Sequence, residues 1–517
     1  MAKGHILLHA NMAWGHTRPL CNFAANVVKL RSVHVTLLTL PPLVDRIGQE
    51  LARSFPAGEK EESLLRLIRV VCLPVNREDL PHGVDGPFRE TYIKLVNSEP
   101  ITCSVQGITF EALDPPTAAI IDFTALYALR AIKEKNRPIP VLAWQSHNPA
   151  YVVKCNIPVE EGGDGDIKLD VDRIAAKHGK SYSEAFDLFL ENLPGRAVHV
   201  ADLPPMYDYE FWPQLVSPTF NGPIVDGRHA SYQFLQECDG VVQTSDPSWN
   251  RGGIDAMERW MSSFVPPRKV YSVGPQLPSG PLEFTRSGDL AQSTVSFAVL
   301  NFLDGKLQSH GQRSVLYISF GTVWGPWSGP DLLWVILEVL KDRDMPFILG
   351  CASPFAAIPA DISGWIESSG IGIVSKWSPQ QTALGHEAVG WFLTHAGQNS
   401  AMESLRAGIP MICWPFIGDQ PIVSATLSIN LNVAYELTEV RTGKSGTRPL
   451  HRTGRAPEGS ADAVRREFTT ILDAMNGPDG QIKRQNAERI SKGLLKTCME
   501  GGSGRRAMIN LLDGLSV

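Results

Sequence analysis

Short apolar runs, each the length of a single strand and each followed by a polar loop and a helical pattern, recur from one end of the chain to the other. Residues 5–10 (HILLHA) form the first, residues 15–19 (GHTRP) break it, residues 20–30 carry helical periodicity, and residues 33–40 form the next run. Strands buried on both faces read as continuous apolar runs, and parallel neighbours need a helical crossover between them. The pattern therefore predicts a doubly wound parallel α/β sheet, in which ligands bind where loops leave the carboxyl ends of the strands. The same grammar returns at 118–122 with a helix at 125–135, at 141–144, and at 240–244. It restarts at 314–320, with a helix at 331–341 and further strands at 346–349, 391–394 and 411–415.

At 517 residues the chain exceeds what one core supports, and 43% hydrophobic with 20% charged side chains is a globular composition. Two α/β domains are expected, at 1–275 and 314–499, joined by a Pro-, Gly- and Ser-rich connection at 276–313 and followed by a C-terminal helix at 500–517. The Gly-, Arg- and Thr-rich segment 441–460 is expected to be a mobile surface loop, and the acidic GGDGD at 162–166 an exposed loop or lid. A net charge of −6 offers nothing to a phosphate backbone or an anionic membrane, which argues against nucleic-acid partners. The eight cysteines are scattered, with no CxxC pair and no zinc-spaced His cluster, and read as reduced thiols. The N-terminus lacks the pattern of a signal peptide, and no apolar run reaches the roughly 18 to 20 residues of a membrane span. A soluble cytoplasmic protein, monomeric or weakly dimeric, is the expectation.

Residues 377–420, WSPQQTALGHEAVGWFLTHAGQNSAMESLRAGIPMICWPFIGDQ, narrow the reading most. Singly, Trp377 suits a core or interface aromatic, Glu403 a solvated helix carboxylate and His395 a satisfied buried histidine; their joint spacing does not. The stretch resembles the signature box of the family-1 UDP-dependent glycosyltransferases, best known from plant secondary metabolism, and spans the same 44 residues with no insertion or deletion. It departs from the plant pattern at Ala396, where Cys is usual, and at Gln398, where Trp is usual.

The resemblance implies a GT-B architecture, two Rossmann-like doubly wound domains facing across a cleft that holds a UDP-sugar. It implies Trp377 as the platform under the uracil, Gln380 beside it, and Glu403 accepting from the ribose hydroxyls, roles that an indole face and a carboxylate suit. It implies His395, Asn399 and Ser400 as diphosphate ligands in the turn containing Gly397, at the start of a helix whose free N–H groups favour an anion. Thr322, in SFGT at 319–322, falls near the phosphates by the same likeness, and Asp419 and Gln420 match the pair that binds the sugar hydroxyls. Gln420 is the residue that glucosyl-transferring members carry, while Gln398 adds an amide near the sugar. DGVVQTS and YSVGP within 239–275 resemble the end of the acceptor domain, and EGGSGRRAMINLL at 500–512 resembles the helix that crosses back to it.

GHTRPL matches the family's catalytic-histidine motif, which implies His16, in the first strand-to-helix loop, as the base that deprotonates the acceptor hydroxyl in an inverting transfer. Asp122, ending the run AAIID, matches the partner that would orient and stabilise the imidazolium. Asp122 also suits an N-cap for the helix near residue 124, and one residue can serve both ends; Asp114 precedes two prolines outside the strand. No metal and no cofactor beyond the UDP-sugar are implied. The acceptor pocket is expected from residues 81–92, 144–151 and 186–212, with Trp144, Gln145, Tyr151 and Phe186 among its walls, which suits a phenolic, terpenoid or sterol-like acceptor. A UDP-sugar epimerase and a non-catalytic UDP-sugar-binding protein are the other readings, and the pairing of His16 with Asp122 weighs against both.

Overall fold

Seven parallel strands make the first sheet: β1 (His5–His9), β2 (His34–Thr39), β3 (Ile68–Cys72), β6 (Ala118–Asp122), β7 (Val141–Gln145), β10 (Gly240–Gln243) and β11 (Lys269–Ser272), with two short hairpins, β4 (Ile101–Thr102) with β5 (Thr109–Phe110) and β8 (Ala197–Val198) with β9 (Met206–Tyr207), set outside it. Their order is β11-β10-β7-β6-β1-β2-β3, so the winding reverses between β1 and β6. The second sheet holds β12 (Val315–Ser319), β13 (Phe347–Gly350), β14 (Gly372–Ser375), β15 (Val389–Thr394), β16 (Met411–Cys413) and β17 (Ala434–Glu436) in the order β14-β13-β12-β15-β16-β17, reversing between β12 and β15. Two doubly wound sheets are thus present, each with a crevice at the carboxyl ends of its central strands. The computed structural model describes residues 4–55, 58–80, 82–135, 138–277, 294–323, 325, 326, 329 and 331–517, and every structural statement concerns these.

The first crossover helix spans Trp14–Leu30 and starts six residues before its periodicity suggests, so His16 lies in its first turn and not in the preceding loop. Pro19 lies inside this helix. Lacking an N–H, it leaves the Gly15 carbonyl without the usual helical donor. That carbonyl accepts instead from Asn399 Nδ2 at 2.6 Å, across to the second half of the chain.

Three expectations change. The connection at 276–313 includes the helix Thr294–His310, whose Val299, Leu300 and Leu303 join the core behind β12 and β15; its middle, 278–293, lies outside the described residues. The segment 441–460 is anchored: Thr442 N donates to Pro213 O at 3.0 Å, Arg448 Nη1 to Leu193 O at 2.7 Å, and buried Arg441 pairs with Glu436 at 3.1 Å. Its polar composition satisfies buried carbonyls and carboxylates of both halves, which a composition-based reading takes for solvation. The 162–166 loop is likewise tied down, with Asp164 between Lys154 (2.6 Å) and Arg228 (3.2 Å), and Asp166 capping the helix Ile167–His178.

The two halves share one apolar cluster, in which Phe186, Phe211 and Trp212 join Trp414, Phe416, Leu437 and Val440. The last helix, Ser503–Gly514, packs Met508, Leu511 and Leu512 against Ile6 and Leu8 of the first sheet. None of the eight cysteines pairs with another, and all except Cys351 and Cys498 are buried. Among the described residues no helix is long and apolar enough to cross a membrane.

Candidate active site

A cavity of about 300 Å³ lies between the carboxyl ends of the two sheets. His16 lines it from the first sheet; Thr322, Trp377, Gln380, His395, Gly397, Gln398, Asn399, Ser400, Glu403, Asp419 and Gln420 line it from the second. The two reversal points explain the meeting, since β1 and β6 carry His16 and Asp122 at adjacent strand ends while β12 and β15 carry the loops of Thr322 and His395.

Asp122 lies just behind the cavity wall. Its Oδ2 lies 2.7 Å from Nδ1 of His16, so Nδ1 carries a proton and, in the neutral imidazole, Nε2 is the bare nitrogen. Burial alone would lower the His16 pKa, but the charge and hydrogen bond of Asp122 outweigh it and hold it above the ordinary histidine value. Burial likewise opposes ionisation of Asp122, and the bonds from His16 and Thr124 pull its pKa below the usual range. The backbone N–H of Thr124 donates to Asp122 Oδ1 at 3.0 Å and its hydroxyl to the same oxygen. Asp122 therefore pairs with His16 and closes the turn at Thr124, but it is not the expected N-cap, since the helix begins at Leu126 with Ala125 in the cap position. The chain continues inward: Asn11 Nδ2 donates to Thr124 Oγ1 at 2.6 Å, and Tyr127 joins Asn11 at 3.2 Å and His9 Nε2 at 2.6 Å. No motif marked Asn11, Thr124, Tyr127 or His9; they become visible only once β1 and β6 are neighbours.

On the other wall, burial brings the His395 pKa down to about 4, so its ring is a neutral hydrogen-bonding group near pH 7. Gly321 and Gly397 make room for it: a Cβ on Gly397 would stand 2.5 Å from Nε2 of His395, and one on Gly321 3.0 Å from Cε1, with Gly321 also at φ +74°. The helix Gln398–Ala407 follows Gly397 with no side-chain cap, so its first N–H groups and the positive end of its dipole are free to meet an anion. Gln420 Oε1 accepts from the backbone N–H groups of Phe416 (2.8 Å) and Ile417 (3.1 Å), which leaves its NH₂ as the free end. Burial pushes Asp419 up to about 6, against the Asn148 N–H that donates to it at 3.1 Å. Gln398 is 3% exposed, and neither amide atom has a hydrogen-bond partner among the described residues.

Three arginines of the first half enter this wall unannounced. Arg18 Nη1 donates to Glu403 Oε1 at 2.5 Å while its Nε reaches Glu50 at 3.2 Å; Arg53 bridges Glu50 (3.1 Å) and Gln381 (2.9 Å); Arg46 lies 4.6 Å from the ring centroid of Trp377. Glu403 also accepts from Gln380 at 2.6 Å and Gln381 at 3.1 Å.

The expected acceptor walls are mostly elsewhere. Trp144 is fully buried, its Nε1 donating to His16 O at 3.0 Å, so it positions the histidine backbone. Phe186 is fully buried against Trp212 in the shared core, Gln145 is buried beneath the cavity, and residues 85–92 are helical, with Phe88 and Tyr92 in the core. From the expected segment 144–151, Ser146 and His147 do line the cavity; the rings around His16 are Phe123 at 5.6 Å, stacked, and His147 at 4.9 Å, edge-on, with the expected Tyr151 5.8 Å beyond His147. Burial holds the His147 imidazole down near about 3, so it is neutral.

Residues 301–433 match the family profile described as UDP-glucoronosyl and UDP-glucosyl transferase. The UDP-glycosyltransferase eriJ of Hericium erinaceus is 29% identical over 520 residues, covering 98% of both chains, and UDP-glycosyltransferase 85A5 of Arabidopsis thaliana is 29% identical over 535 residues, covering 94% of this chain and 91% of its own. Among solved structures, a UGT transferase from Siraitia grosvenorii in complex with UDP superposes with a TM-score of 0.68 at 18% identity over 100% of both chains.

Proposed function

The chain belongs to the UDP-glycosyltransferase family, whose members take a sugar from a UDP-sugar, and from that premise we propose that it moves glucose, with inversion, onto the hydroxyl of a small, largely apolar acceptor. One observation carries the reading: a carboxylate-paired histidine and an uncapped helix N-terminus line a single cavity.

The chemistry follows from that arrangement. His16 Nε2 takes the acceptor O–H proton as the oxygen bonds to the anomeric carbon, and the bond from that carbon to the UDP oxygen breaks on the far face. Asp122 stabilises the imidazolium. The diphosphate leaves toward the N–H groups at the start of the helix Gln398–Ala407, with His395, Asn399 and Ser400 beside it and Thr322 opposite. Trp377 offers a face for the uracil and Glu403 a carboxylate for the ribose. Asp419 can accept from the sugar hydroxyls while the free NH₂ of Gln420 donates to them. Ser146 and His147 line the acceptor side of the cavity, with Phe123 and Tyr151 packed behind His147.

Incubation with radiolabelled UDP-glucose and a panel of phenols, terpenoid alcohols and sterols tests this. A β-glucoside from the α-linked donor is the expected product; isomerised sugar would mean an epimerase, and binding without turnover a sensor. UDP-glucose is expected to be used in preference to UDP-galactose, because Gln420 presents a donor group and Asp419 an acceptor group in fixed orientation. Comparable kcat/KM for the two donors overturns that preference, and since the amide of Gln398 is buried and unpaired, a preference for UDP-glucuronic acid or UDP-N-acetylglucosamine would point to it.

We propose that no metal takes part in donor binding, since the helix terminus and neutral hydrogen-bonding groups stand where the diphosphate would lie. UDP at ~100 times its Kd should then raise apparent stability by roughly 2.7 kcal/mol with EDTA present. A thermal shift that needs magnesium or manganese refutes this.

A further inference from the structure

The helix Val44–Ser54 of the first half turns one stripe of side chains into the nucleoside end of the cavity: Arg46, Gln49, Glu50 and Arg53, at the three- and four-residue spacing of a single helix face. Two of these have plain partners. Glu50 binds Arg18 and Arg53, and Arg53 binds Gln381, so their charges and hydrogen bonds are spent on joining the two halves. Arg46 differs. Among the described residues no carboxylate lies within ion-pair distance of it; its guanidinium stands over the indole of Trp377 at 4.6 Å and 5.9 Å from that of Trp14. It is half-buried, and burial works against its charge.

We propose that Arg46 is the second wall of the base site, so that the uracil of the donor lies between the Trp377 indole and the Arg46 guanidinium. This rests on the reading of the cavity as a UDP-sugar site and adds to it a contact from the opposite half of the molecule. A planar ring held between two flat groups needs about 7 Å between them, twice the usual contact distance, so the guanidinium, at 4.6 Å from the Trp377 ring centroid, has to withdraw by roughly 2 to 3 Å. A long, unpaired arginine side chain can make that move without breaking an ion pair. The guanidinium suits the place because it is planar, stacks on aromatic faces and bases, and is more weakly hydrated than an ammonium. Its positive charge also faces an anionic ligand. The same cation lies over the indole face that a base would use.

Calorimetric titration of UDP and of uridine into the wild type, Arg46→Ala and Arg46→Lys decides the matter. Arg46→Ala is expected to weaken both ligands by a similar factor, about 3- to 30-fold, the usual worth of a desolvated cation–π or stacking contact. Arg46→Lys should recover UDP binding only in part and uridine binding hardly at all, because an ammonium keeps the charge and loses the plane. Unchanged or tighter UDP binding by Arg46→Ala would make Arg46 a plug and overturn the proposal. A loss confined to UDP would move the contact to the phosphates and overturn it equally. Failure of the wild type to bind UDP would count against the UDP-sugar reading itself, a separate outcome.

Discussion

Replacing His16 by alanine is expected to lower kcat by about 10²- to 10⁴-fold, the usual worth of a positioned general base, while UDP still binds. No proposed donor contact is lost, because His16 reaches the cavity from the first sheet and its partner Asp122 lies behind it. Asp122→Asn should cost less, and the double variant no more than His16→Ala alone, since the pair acts as one unit. The pH profile supplies an independent check. His16 must be neutral to accept a proton, and its pKa is held above the ordinary histidine value by Asp122, so kcat/KM should fall as pH drops through that raised value. In Asp122→Asn the raising charge is gone while burial remains, so the acid limb should move to lower pH. Acidic phenols and thiols, which ionise unaided, should lose less activity in His16→Ala than aliphatic alcohols. A His16→Ala enzyme that glucosylates an aliphatic alcohol at near wild-type rate would remove His16 as the base.

Glu403→Ala should weaken UDP and UDP-glucose by about 10- to 100-fold and also reduce stability by roughly 1–3 kcal/mol, since hydrogen bonds to a buried charged group are worth about 1.5–3 kcal/mol each. Both effects come from one carboxylate. A carboxylate has about four lone-pair sites; Arg18 and Gln381 use Oε1 while Gln380 uses Oε2. The group is thus held in place by protein donors, one of which is expected to yield to the two ribose hydroxyls. Arg18 keeps Glu50 in the variant, which limits the penalty of an unpaired buried cation. Arg18→Ala is the control that separates the effects: it should share the stability loss and retain UDP binding, because Gln380 and Gln381 still orient Glu403. Equal UDP affinity in Glu403→Ala and the wild type would take the ribose away from this residue.

The strands that were legible in the sequence are the buried ones. The apolar runs at 118–122 and 391–394 correspond to β6 and β15, which have neighbours on both sides and helices on both faces. β11, β14 and β17 have no comparable run, and all three are sheet edges. An edge strand is covered less completely, as the partly exposed residues of β11 and β14 illustrate, so its sequence need not be continuously apolar. Segments 294–310 and 441–460 were misjudged for a related reason. Their pattern is weak within themselves, and their order comes from partners far away in the chain, such as Pro213 and Leu193 for the second.

Sequence by itself determined the alternating α/β plan, because that plan depends on local periodicity, while the proposed donor-side residues within 377–420 and the pair His16 and Asp122 were marked by resemblance to the family's motifs. Only the tertiary structure decided that Glu403 is paired with Arg18, that Arg46 covers Trp377, that Asp122 is backed by Thr124, Asn11 and Tyr127, and that Trp144 and Phe186 are packing residues while Phe123 and His147 surround His16. These are contacts between residues up to several hundred positions apart. They follow from the packing of two sheets against one another, which no local pattern encodes, because the side chains that meet across a cleft share no period and no spacing along the chain.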